Sequence, residues 1–84
     1  MKVDKEKLKM VLATWEGQLK IIIADNFYDA HTTISPELLL NLVELGCITA
    51  VDAIGNNIVL VFPDKTIVIT DKDFMKRYGL VEDL

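Results

Sequence analysis

The sequence predicts a small single-domain α+β fold over residues 1–84, with elements in the order α-β-α-β-β-β-α and a mixed sheet of about four strands packed with helices. Three observations carry that expectation. Two stretches repeat apolar residues at helical spacing, and each follows a capping residue, Asp4 or Ser35. Four runs are dense in β-branched residues: 18–24, 47–54, 58–62 and 66–70. Short Gly/Asn and Pro/Asp punctuation separates the last three of these runs, as hairpin turns do.

The first helix lies in "VDKEKLKMVLATW", where Leu8, Val11, Leu12 and Trp15 fall on one face at i, i+3, i+4, i+7. Asp4 is its expected N-cap, Gly17 its left-handed stop, and Lys5, Glu6, Lys7 and Lys9 its wet side. "QLKIIIA" (18–24) follows as a strand, because three consecutive isoleucines are stiff at χ1 and suit a pleated surface. Both of its faces are apolar, so cover on both sides is expected. Ser35-Pro36-Glu37 then reads as N-cap, first-turn proline and an acid that complements the helix dipole. The helix it opens, "PELLLNLVELG", has only Glu37, Asn41 and Glu44 as polar residues, on one narrow stripe, which predicts burial on more than one side.

The runs 47–54, 58–62 and 66–70 are expected to form a meander joined through Gly55-Asn56-Asn57 and Pro63-Asp64-Lys65. Strands 18–24 and 47–54 flank a helix of about three turns, the pattern of a crossover between parallel neighbours. A last helix starts at Asp71, presents Phe74 and Tyr78 together and stops at Gly79. A winged-helix arrangement would also place a helix before a hairpin. "ELLLNLVEL" has no base with which to hold a phosphate, however.

Charge narrows the function classes. Thirteen acids against nine bases leave a net charge of −4. The bases gather at Lys2, Lys5, Lys7, Lys9 and at Lys72, Lys76, Arg77, with acids between them, so direct nucleic-acid binding is not expected. No run reaches the ~18 apolar residues of a membrane span, the start lacks the apolar core of a secretion signal, and cysteine occurs once. A cytoplasmic protein without a membrane partner is the expectation.

The chemically mixed stretch is "ADNFYDAHTTISPE" (24–37), expected as a polar loop with Phe27 and Tyr28 pinning it to the body. Asp25, Phe27, Tyr28, Asp29 and His31 are its candidate ligand or partner contacts. A carboxylate within about 3 Å of His31 would make an acid–base pair, and a small ligand-binding or enzymatic domain built on that loop is the alternative function. One histidine with two loop carboxylates is too sparse for a metal centre, and no cofactor or catalytic residue is assigned. Phosphate loops, paired cysteines, zinc-protease spacings and serine elbows are all missing from the sequence. Cys47, opening a strand, is expected as a small buried hydrophobe. Asp52 interrupts an apolar strand and must meet solvent, a sheet edge or a cation such as Lys20. Trp15, closing its stripe, is expected in the core.

The apolar content decides the leading function. Hydrophobic residues make up 51% of a chain of 84, which can hide only about 60–65% of its unfolded surface. The excess predicts a non-enzymatic protein–protein interaction module, binding a second copy of itself or another protein. Leu39, Leu40, Val43, Phe74 and Tyr78 are its candidate interface. An acidic antagonist of a nucleic-acid-binding protein is a further alternative that the charge allows. No motif identifies a family, and the general look is similar to that of small bacterial or phage accessory proteins.

Overall fold

Three side-chain caps open three helices, each where the sequence places it. Asp4 accepts from the N–H groups of Glu6 and Lys7 and starts α1 (Lys5–Thr14). Ser35 accepts from Leu38 N–H and starts α2 (Pro36–Leu45), with Pro36 in its first turn. Asp71 accepts from Asp73 and Phe74 N–H and starts α3 (Lys72–Tyr78), which Gly79 ends in the left-handed region at φ 103°. These positions come from a computed structural model that describes residues 3–80. Lys2 of the basic start lies outside the described residues.

Five strands form one sheet: β1 (Leu19–Ala24), β2 (Asp29–Ile34), β3 (Ala50–Ile54), β4 (Asn57–Val61) and β5 (Thr66–Ile69). Their order across the sheet is β2-β1-β5-β4-β3, and every neighbouring pair is antiparallel. The α+β class and the meander 50–69 agree with the sequence. The mixed, four-stranded sheet does not. The parallel crossover fails because 29–34, expected as loop, turns back on β1 as a hairpin strand. That strand fills the position beside β1, β5 takes the other side, and α2 carries the chain across to the far edge. The order is therefore α-β-β-α-β-β-β-α.

The core lies on one face of this sheet. Leu19, Ile21, Ile34, Ala53, Ile58, Leu60, Ile67 and Ile69 point into it from the strands. Leu8 and Leu12 of α1, Leu39 and Val43 of α2, and Phe74, Met75 and Tyr78 of α3 close over them. All three helices thus share one side, and the domain has two layers. Cover on both faces of β1, expected from its isoleucine run, does not occur. Nor is α2 buried on several sides: Leu38 and Leu45 are 52% and 80% exposed, while Leu39 and Val43 are buried on the side that meets the core and α1. Trp15 is half-buried at the rim of the core, edge-on to Phe74 with ring centroids 5.3 Å apart.

Tyr78 ties the two ends of the chain. Asp4 N–H donates to its phenol oxygen at 2.9 Å, and the phenol O–H lies 3.3 Å from the Asp4 carbonyl as donor. Lys7 sits over its ring, 4.7 Å from the centroid. Burial pushes the phenol above its ordinary value of 10.0, with the Asp4 carboxylate adding to that push and the Asp4 backbone bond opposing it. A raised value means the folded chain holds its proton longer than the unfolded one. This contribution is full below pH 10.0 and is lost as pH rises through the raised value. Tyr78→Phe is expected to cost about 1–2 kcal/mol at neutral pH. It should also remove this part of the alkaline loss of stability, measured by urea unfolding from pH 8 upward.

Candidate functional site

Pairing in register sets rows of side chains on the sheet face that no described helix covers. Alternation along β1 sends Lys20, Ile22 and Ala24 away from the core, and the partners follow. The central row runs His31–Ile22–Val68–Val59–Asp52, one residue from each strand. Beside it run Asp29–Ala24–Thr66–Val61–Ala50. Ile22, Val59, Val61 and Val68 are half-buried by one another, and none belongs to the core or packs against it. Four strand spacings of about 4.8 Å separate the ends of a row by about 19 Å. The open face therefore has an apolar centre of Ile22, Val68, Val59 and Val61, with Lys20, Thr66 and Asn57 beside it, Asp29 and His31 at one border and Asp52 at the other.

Asp52 stands in mid-strand because its strand is an edge. Hydrogen bonding alternates along antiparallel strands, so the backbone groups of Val51 and Ala53 face outward from β3. The Asp52 carboxylate accepts from the Ala53 N–H at 2.8 Å and so occupies the middle of that border. Lys20 lies across the sheet from it, on β1. At the opposite border, Asp25 N–H donates to the Tyr28 carbonyl and Thr70 N–H to the Lys20 carbonyl. Together these turn Asp29, His31 and Thr33 outward on β2. Among the described residues nothing pairs with their outward amides and carbonyls.

The loop candidates separate into two groups. Asp25 belongs to the turn between β1 and β2, where its carboxylate accepts from Phe27 N–H at 2.7 Å and Tyr28 N–H at 3.1 Å. Phe27 and Tyr28 do not pin the loop to the body: they are 89% and 68% exposed, held in water by that tight turn. Asp29 and His31 lie on β2 with side chains on the open face, and His31 stands opposite Ile22. No hydrogen bond joins either carboxylate to His31 among the described residues, and no group of three metal-ligating side chains converges there. A shallow depression of about 250 Å³ lies between this turn and the turn at 62–65. Its charges are already engaged, Asp25 with its own turn and Lys65 with Asp64 at 3.2 Å.

The two amide bonds hold the Asp25 carboxyl below its ordinary value of 3.8. A lowered value places the stabilising effect above pH 3.8 and loses it as pH falls through the lowered value. Asp25→Ala is expected to flatten the acid limb of the stability curve below pH 4. Thermal unfolding of both proteins between pH 2 and pH 6 measures the difference.

The five apolar interface candidates lie elsewhere than on an open surface. Leu39, Val43, Phe74 and Tyr78 are buried within the chain, and Leu40 is half-buried against the same core. Cys47, expected to be buried, is exposed at φ 53° in the bend between α2 and β3, because that strand starts three residues later than the sequence suggests. The open-face residues leave a size signal in the sequence that periodicity alone does not read. Along "IVLVF" and "TIVIT", isoleucine, leucine and phenylalanine take the core side while valine takes the other.

No protein-family model matches this chain, and no match was found among curated proteins or solved structures. Among the described residues, no helix is long and apolar enough to cross a membrane.

Proposed function

We propose that this chain is a non-enzymatic protein–protein interaction module whose docking surface is the open face of its sheet, with a second copy as the partner. One observation carries the reading: Ile22, Val68, Val59 and Val61 form a continuous apolar panel, across three adjacent strands, that the described helices leave uncovered. Two-layer domains with a solvated sheet face ordinarily alternate apolar-in and polar-out, and here the central outward positions, Ile22, Val68, Val59 and Val61, are aliphatic, with Lys20, Thr66 and Asn57 around them. The whole face spans about 19 Å across the strands and about 17 Å along them, roughly 320 Å² per copy, so two copies would together cover on the order of 650 Å². That is smaller than a standard specific interface and predicts weak, transient association.

Light scattering coupled to size exclusion tests it. At several hundred micromolar the mass should move from 9.5 kDa toward twice that value. Val68→Lys places a charge at the centre of the panel and should return the mass to 9.5 kDa with an unchanged circular-dichroism spectrum. A wild-type monomer at that concentration overturns the reading.

A further inference from the structure

We infer that the free border of β2 is a second docking site, which takes an extended segment of another protein as a further antiparallel strand of the sheet. The site is separate from the open face, which a strand added at the border leaves accessible.

Asp29, His31 and Thr33 turn their backbone N–H and C=O groups away from β1, since the bonds to β1 fall on the residues between them. All six residues of β2 pair with β1 without a break, so the outward groups form one regular line. The strand also lacks the usual devices that close an edge: Asp29–Ile34 holds no proline, no lysine and no bulge. The other border is interrupted twice. Thr49 N–H and Ala50 both meet Val61, which makes a bulge, and the Asp52 carboxylate takes the Ala53 N–H.

The occupant follows from what lies along this edge. Phe27 and Tyr28 stand in water just before the strand, held there by the Asp25 carboxylate. A second copy of β2 would leave them uncovered. With all three outward residues paired, His31 meets its own copy, and Tyr28 comes opposite the partner's Ile34. At that point the partner's chain quits the sheet through its Ser35 and Pro36 to enter α2. A free segment runs on past both aromatics. Alternation sets its chemistry: a base opposite Asp29 on the open face, and apolar side chains opposite Ala30 and Tyr28 on the other. Backbone bonds supply the affinity and these side chains the choice of segment.

The probe is the end-blocked peptide Thr-Val-Thr-Ile-Lys-Phe, whose residues fall in order opposite Thr33 back to Tyr28. Fluorescence anisotropy of a labelled copy measures its binding to the Val68→Lys protein, so that pairing through the open face plays no part. N-methylation of the second threonine, opposite His31, should weaken binding about tenfold. N-methylation of the isoleucine, opposite Ala30, should change it by about twofold or less, because that amide faces away from β2. His31→Pro should weaken the unmodified peptide about tenfold, since it removes an outward N–H and no bond to β1. Tyr28→Ala, and glutamate in place of the peptide's lysine, should each weaken it about threefold. The two N-methyl peptides need no change in β2, so they decide the matter even if the proline variant fails to fold. Equal losses from both, or no binding at about 1 mM peptide, overturn the added strand. If His31→Pro converts a wild-type dimer to monomer, β2 pairs with its own copy and the free segment is overturned. A wild-type monomer that still binds the peptide removes the open-face reading and leaves this one standing.

Discussion

Phe74→Ala is expected to cost about 3–5 kcal/mol of unfolding free energy, the largest loss from any single truncation to alanine in this chain. Phe74 is fully buried where α3 closes over the sheet, and it is the largest of the side chains with no exposure. Its ring takes the edge of Trp15 at an interplanar angle of 67°. Removing it leaves a cavity where the end of α1 meets α3, and the close-packed neighbours can relax into it only in part. In a domain of this size the loss lowers the melting temperature by roughly 15–30 °C. Trp15 reports the event directly. Its indole carries the Phe74 ring on one side and the Arg77 guanidinium at 5.2 Å, so its emission should shift to the red in the native baseline as well as at the transition. An unchanged midpoint in urea would mean that α3 contributes little to the core.

Ile58→Lys and Val59→Lys are adjacent on β4 and should behave oppositely. Ile58 has no exposure and faces the helices between Ala53 and Ile69. An ammonium group there sits among aliphatic side chains with no route to water, a cost of several kcal/mol against a total stability of about 5–15 kcal/mol. Ile58→Lys is expected to unfold the chain. Val59 points to the open face, where a lysine reaches solvent, so Val59→Lys should retain its fold and lose about 1 kcal/mol or less of strand preference. Circular dichroism and the urea midpoint separate the two. Equal damage from both would mean that the second face is covered within one copy.

This contrast also explains what could be read from the sequence. Local chemistry was legible: Asp4, Ser35 and Asp71 announce helix starts because a capping oxygen acts within three residues of itself. The turns at Gly55 and Pro63 are legible for the same reason, and Gly55 takes the positive φ of 61° that a two-residue hairpin requires. The run 29–34 was not legible as strand. Its outward positions are Asp29, His31 and Thr33, and a strand at a sheet edge with one wet face has loop-like composition. Missing it displaces the whole topology, since a single hairpin converts a parallel neighbour into a distant edge. Residue counts signal apolar excess without locating it. The candidates drawn from the greasiest helix, Leu39 and Val43, are buried against the sheet, whereas the uncovered residues are modest valines on strands that look fully buried. Which face of an apolar strand stays uncovered depends on where the helices settle, and that is decided by contacts far apart in sequence.

The unequal borders of the sheet have a consequence for crowded solutions. Runaway fibre growth needs two receptive edges on every molecule, one to accept and one to offer. Here the carboxylate of Asp52 already engages the Ala53 amide at one border, leaving β2 as the ready template among the described strands. An edge whose mid-strand amide is taken by its own carboxylate makes a poorer template for another strand than β2, so a single acid placed in mid-strand weakens one of the two borders that amyloid-like polymerisation needs.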